Sequence, residues 1–326
     1  MRWRKAFLAG GAALGAAATF NALVGRRAEP LENLLGGEEG WFTWRGRRIA
    51  YTRHDKSAAP GRYPLLLVHG IYAGASSFEW RSNVGPLGET HTTYAIDLIG
   101  FGRSDRPDIR YSGRLYLNLI SDFARHVVGR PSILVASSLS GAYAAVLGAR
   151  DPSRFPALVL NEPAGLTRLT DQSGTGGDIA RLVIDSPVLG SALFNGLVSK
   201  PSLRYYLERV YTNHDLVTEE LLDIYHRSSH QPGSRFAPAA LLAQQLNIDI
   251  RSAMRRLRQP VLVTWGEQAL EIPVEDAFRF RTLKRDLELL IIDGAGSLPH
   301  DEKSAEWNEA VAEFLARVEA EAPGDV

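Results

Sequence analysis

The stretch ILVASSLSGAYAAVLGA, residues 133–149, changes period at its middle. Its first part, ILVA at 133–136, is a continuous apolar run, the pattern of a parallel strand buried on both faces. From Gly141 to Arg150 the run GAYAAVLGAR reads as a helix. Between the two lie Ala136, Ser137, Ser138, Ser140 and Gly141, small residues that let a strand turn sharply into a helix. A turn of this kind presents one side chain, here Ser138, at its tip. The plain alternative is a serine-rich turn that is merely well packed, with Ser137 the weaker candidate for the tip.

Outward from this stretch the chain repeats the same alternation. WFTW at 41–44, a turn at Arg45-Gly46-Arg47 and RIAYTR at 48–53 read as a hairpin. Continuous apolar runs follow at 65–69, 94–98, 158–160, 261–265 and 288–293, with helical patterns between them and a last helix from Ala305 that spaces Trp307, Val311, Phe314 and Leu315 along one face. Strand and helix in alternation predict an α/β fold with a mostly parallel, doubly wound sheet. One interval breaks the rhythm: residues 165–259 contain no convincing strand and read as an inserted helical cap. The expected organisation is therefore a segment 1–36, a core formed by 37–164 and 260–326, and the cap at 165–259.

Two further motifs accompany the turn. HGIYAGASSFEW occupies 69–80, and DLIGFGRSDRP occupies 97–107. With Ala136-Ser137-Ser138-Leu139-Ser140 in place of G-x-S-x-G, the three resemble the α/β-hydrolase superfamily, in particular its cap-bearing branch of epoxide hydrolases, dehalogenases and carbon-carbon bond hydrolases. The resemblance runs from about Trp41 to the C-terminal helix. It implies Ser138 as nucleophile and the backbone N–H groups of Ile71 and Leu139 as an oxyanion hole. The side chain of His69 reads instead as a buried histidine tied to backbone.

The same resemblance exposes two departures. After VLVTW, the loop Gly266-Glu267-Gln268-Ala269-Leu270-Glu271-Ile272-Pro273 carries Ala269 where the family has its acid. After ELLIID, the loop Gly294-Ala295-Gly296-Ser297-Leu298-Pro299-His300 carries Ser297 where the family has its catalytic histidine. His300 matches the second histidine of that motif. Three replacements are conceivable: Glu162, directly after the strand ALVL, where some members of the branch resemble this chain in drawing their acid; His300, displaced into the vacant place; or the cap residues His214, His226 and His230, which read better as surface. Restoring Ala269→Asp and Ser297→His together is the expected route back to a full triad. Without a base, Ser138 is a neutral alcohol. In a reference serine enzyme, loss of the histidine costs about 10⁶ in turnover, and about 10³–10⁴ over water survives.

Composition narrows the function classes. Lys plus Arg equals Asp plus Glu at 37 each and no basic run interleaves with aromatics, which argues against nucleic acid. There is no cysteine, hence no disulfide, thiolate metal site or cysteine nucleophile. No metal-ligand spacing appears, and no cofactor is implied. Arg2, Arg4 and Lys5 precede an uncharged run at 6–24, the layout of a membrane anchor or export signal, with an N-terminal helix of a cytoplasmic protein as the alternative. The leading expectation is a serine-hydrolase-like enzyme for an apolar ester or related acyl compound. Its rival is a non-catalytic pseudoenzyme that binds a small apolar ligand or a protein partner. A lyase or acyl transferase on the same scaffold is the third reading.

Overall fold

A computed structural model describes residues 29–55, 61–171 and 189–321. The uncharged run at 6–24 and part of the helical interval, 172–188, lie outside the described residues. Eight strands form one sheet: β1 (Glu38–Trp44), β2 (Arg47–His54), β3 (Leu65–Val68), β4 (Thr93–Ile96), β5 (Ile133–Ser137), β6 (Leu158–Asn161), β7 (Val261–Gly266) and β8 (Glu288–Ile292). Their order across the sheet is β1-β2-β4-β3-β5-β6-β7-β8. β1 and β2 pair antiparallel, as do β2 and β4. Every other pair is parallel. The sequence thus forms the expected α/β-hydrolase fold, with a mostly parallel sheet entered through a hairpin.

The continuous apolar runs are explained by packing on both faces. Along β5, Leu134 and Ala136 join one core with Tyr116 and Tyr143, while Ile133 and Val135 join another with Trp307 and Phe314. Helices Gly113–Phe123 and Ser138–Arg150 supply the first face and Ser304–Ala320 the second. Each fully buried Leu, Ile or Val contributes about 1.5–3 kcal/mol, so neither face has room for the polar alternation of a half-exposed strand.

Between β6 and β7, helices Leu189–Leu197, Lys200–Val210, Glu219–Ser229, Phe236–Leu242 and Arg251–Arg256 follow one another. Leu203, Leu207, Leu221 and Tyr225 gather into a small core of their own, closed by Leu298 from the loop after β8. Residues upstream of β1 also take part in the fold. The Asn33 side chain accepts from Thr52 Oγ1 at 3.0 Å, Leu35 packs on the core, and the carbonyls of Glu29 and Pro30 accept from Gln231 and Arg227. The body of the domain begins upstream of Trp41, with β1 opening at Glu38 and contacts reaching back to Glu29.

Candidate active site

Strand register sets the site before any side chain is considered. Val68 pairs with Ala136, Ser137 with Asn161, and Asn161 with Thr264. The residues immediately beyond these pairs, at the C-terminal ends of β3, β5 and β6, therefore emerge side by side: the Gly70-Ile71 loop, Ser138 and Glu162. The order of strands reverses at β3, and crevices at such switch points are where open α/β sheets bind ligands.

Ser138 is the first residue of its helix and has φ +52°. A non-glycine residue in the left-handed region is strained, and such strain gathers at functional sites. Four of the five described non-glycine residues with positive φ, namely Ser138, Glu162, Leu169 and Gln244, line two adjoining cavities. Only Arg45, in the hairpin turn, does not. The larger cavity measures about 630 Å³ and is walled by Ile71, Leu169, Phe194, Val198, Pro238 and Leu241, with Ser138 in its lining. The smaller, about 60 Å³, brings Ser138 together with Glu162, Ser297, Glu271 and Tyr206. Ser138, Tyr72, Tyr206, Glu271 and Ile272 face both.

Residues 65–313 match the alpha/beta hydrolase family. The chain belongs to that family. Its relatives include 2-hydroxymuconate semialdehyde hydrolase of Pseudomonas sp. (strain CF600), 25% identical over 82% of this chain and 91% of that protein. A 1-acylglycerol-3-phosphate O-acyltransferase of Homo sapiens is 27% identical over 78% of each chain. Among solved structures, a serine hydrolase involved in carbazole degradation superposes with a TM-score of 0.72 at 21% identity, covering 86% of this chain and all (100%) of the other. A bacterial membrane phospholipase A superposes with a TM-score of 0.70 at 23% identity, covering 99% and 100%.

Within this alpha/beta hydrolase, Leu139 N–H is one of the helix-start donors that lack an intrahelical acceptor, and Ile71 lines the larger cavity on the other side of Ser138. The Ile71 loop is held from below. Glu79 Oε2 accepts from Gly70 N–H and from the Tyr72 hydroxyl, each at 2.9 Å, so both neighbours of Ile71 are tied to one carboxylate. Burial pushes the Glu79 carboxyl upward, but contact with His300, the nearby His69 and the Gly70 N–H outweigh it and hold the group below its usual range. His69 is bound on both sides: Nδ1 meets the Gly70 carbonyl at 2.6 Å and Nε2 accepts from Leu98 N–H at 3.1 Å, which places its proton on Nδ1.

Glu162 is 3% exposed and its Oε1 accepts from Gly266 N–H at 3.1 Å. Burial raises its carboxyl well above the usual range; the Gly266 N–H and the Ser297 hydroxyl oppose this, and the Glu271 charge reinforces it. Ser297 lies close enough to lower that value, yet its own buried hydroxyl makes no well-formed hydrogen bond. Its backbone N–H donates to the Val210 carbonyl at 2.7 Å, which docks the loop after β8 onto helix Lys200–Val210.

The other two sequence candidates are elsewhere. His300 is fully buried between Trp80 and Trp307, with Nε2 3.5 Å from Glu79 Oε1, and it lines neither cavity. Ala269 belongs to the hydrophobic core. His214, His226 and His230 also line neither cavity. Among the described residues, no cluster of three His, Asp or Glu side chains forms a metal site, and no helix is long and apolar enough to cross a membrane. Sequence reasoning missed Glu271, two residues past Ala269, although a carboxylate so close to the position where the family's acid was expected was a readable signal. It also missed Glu79 and Tyr72, for which HGIYAGASSFEW offers none, because their role depends on how that loop folds back on itself.

Proposed function

We propose that this protein is a serine-dependent hydrolase of slow turnover, acting on an ester or related acyl compound with an apolar acyl group. The observation that supports it most is Ser138, held at φ +52° on the floor shared by an apolar cavity and a polar one. In this reading helices from 165–259 act as a cap, and the apolar walls take the acyl chain. Ser138 Oγ attacks the acyl carbon, and the carbonyl oxygen gathers negative charge facing the N–H groups of Ile71 and Leu139. The Ser138 proton passes to the Glu162 carboxylate, directly or across the Ser297 hydroxyl. Collapse of the adduct then expels the alcohol, which takes the proton back, and water releases the acid in the reverse sequence. Glu162 accepts a proton only when ionised, and its raised pKa makes that form scarcer at any given pH than for an ordinary carboxylate. Slow turnover is the consequence.

Acyl-group chemistry in the name of one relative, the acyltransferase, is consistent with this substrate class. Among the described residues no histidine lines either cavity, which favours a second reading, a protein that binds the same ligand without turnover. A fluorophosphonate probe and a p-nitrophenyl ester separate the two. Slow labelling and hydrolysis that vanish in Ser138→Ala, with rate rising as pH increases and the rise lost in Glu162→Gln, are expected. No labelling at any pH, with ligand still bound, would leave the binding reading. The run at 6–24 is proposed to anchor or export the domain, which fractionation of cells expressing the full chain would test.

A further inference from the structure

The smaller cavity beside Ser138 has a chemical character that acyl recognition does not use. At about 60 Å³ it holds roughly four to six non-hydrogen atoms, taking about 10–15 Å³ for each water-sized occupant. Two carboxyl groups, Glu162 and Glu271, and three phenols, Tyr72, Tyr206 and Tyr225, line it, and among the described residues no Lys, Arg or His does. Ser297, a lining residue 8% exposed, adds a buried hydroxyl that lies near Glu162 but makes no well-formed hydrogen bond. The lining is therefore rich in acceptors and aromatic rings and poor in cations.

Nearby charges do not fill this need. Arg209 Nε is 3.9 Å from Glu271 Oε1, but both side chains are about half exposed (46% and 44%), and such pairs are weak in water. The Tyr72 and Tyr225 rings stack with centroids 6.1 Å apart, and Tyr206 stands 6.2 Å from Tyr72. Burial raises the pKa of all three phenols, so they stay neutral and present ring quadrupoles, which attract cations.

We propose that this cavity binds a compact alkylammonium group, which, if the hydrolase reading holds, makes the preferred substrate an amino-alcohol ester with its acyl chain in the larger cavity. The five residues shared by the two cavities put the reacting carbonyl at Ser138, between the acyl and ammonium sides. Occupation also changes Glu162. Burial and the Glu271 charge raise the pKa of its carboxyl, against the Gly266 N–H and Ser297. A cation between the two carboxyls favours the ionised form, so binding releases a proton to solvent.

Calorimetry on the full-length protein near neutral pH, with dimethylaminoethanol and its uncharged analogue isoamyl alcohol, tests this without requiring turnover. The amine is expected to bind at least about tenfold more tightly, about 1.4 kcal/mol. Its binding heat should vary with the ionisation enthalpy of the buffer, reporting the released proton. Glu162→Gln and the half-exposed Glu271→Gln should each weaken the amine about tenfold and leave the alcohol unchanged, with thermal unfolding run to confirm that both variants fold. Equal affinity for the two alcohols, or undiminished amine binding in both variants, overturns the proposal. Hexanoyl esters of the same alcohols then separate the two readings. Tight amine binding with neither ester cleaved would sink the hydrolase reading and keep the ammonium site. Cleavage of both at equal kcat/KM, with equal binding, would do the reverse.

Discussion

Glu162 is the residue at which backbone strain, burial and charge meet, with φ +41° and a carboxyl whose proton is held by its surroundings. In the unfolded chain this group loses its proton near its ordinary value of 4.5. In the folded protein the proton stays on to higher pH. Across that window the unfolded chain binds fewer protons than the native one, so the group subtracts stability as pH rises from about 4.5 toward its folded pKa. Glu162→Gln removes this dependence. Its Tm is expected to exceed the parent's by a margin that grows with pH above that point; a constant margin would mean that Glu162 titrates normally. The same geometry revises the repair suggested by sequence. Ala269 is 7% exposed inside the hydrophobic core, where Ala269→Asp would bury a carboxylate and cost about 1–3 kcal/mol or more. Ser297, by contrast, already faces an acid. Ser297→His alone is expected to raise p-nitrophenyl ester hydrolysis by about 10²-fold, the low end of general-base catalysis, and Glu162→Gln in that background should erase most of the gain. A gain that appears only with Ala269→Asp would show that the histidine points toward 269 instead.

Among the elements, the end of β7 and the loop after β8 form the joint that aligns the site. A Cβ placed on Gly266 would overlap the carbonyls of Ala295 and Gly296, and one on Gly296 would overlap the carbonyl of Val210. The strand, the loop and the helix Lys200–Val210 therefore meet through bare backbone. Gly266 N–H also donates to Glu162. Gly266→Ala is expected to cost about 1–3 kcal/mol or more, as overpacking does, measured by urea unfolding. It should also shift Ser297 and lower any Ser138 labelling. Full retention of both stability and labelling would show that the loop can move aside freely. The strands themselves were legible: ILVA, read as 133–136, extends to Ser137, and LVL, read as 158–160, extends to Asn161. A continuous apolar run is a local signature of two-sided burial, so little else was needed to find them. The start of the elbow helix was read three residues late, at Gly141 instead of Ser138, because Ser-Leu-Ser carries no apolar period.

Over the whole molecule, described residues upstream of the hairpin take part in the fold. Glu29 to Leu35 bind the hairpin and the helix Glu219–Ser229 through Asn33, Leu35 and the carbonyls of Glu29 and Pro30. A chain lacking residues 1–28 serves as the reference. Deleting 1–36 should still give a folded domain but lower its stability by about 1–3 kcal/mol, the scale of one buried Leu and a few hydrogen bonds. Equal Tm for the two truncations would show that these contacts contribute nothing.

What the sequence determined alone was the order of elements, the alpha/beta hydrolase framework, the place of Ser138 at the turn from β5 into its helix, and the residues Ala269 and Ser297 in the two loops that follow β7 and β8. Each of these is written in local periodicity, in small residues around a turn, or in the identity of one residue within a motif. Where the candidate acid and histidine lie relative to Ser138 was decided by tertiary structure. Register across β6, β7 and β8 sets Glu162 beside Ser297, although 135 positions of sequence numbering (162 to 297) separate them. The same fold-back buries His300 between two tryptophans, against Glu79. A pKa depends on burial and on neighbours that only the folded chain brings within a few ångströms; the sequence therefore offered Glu162 as one candidate among several, and only the fold gave it its raised pKa and set it beside Ser297.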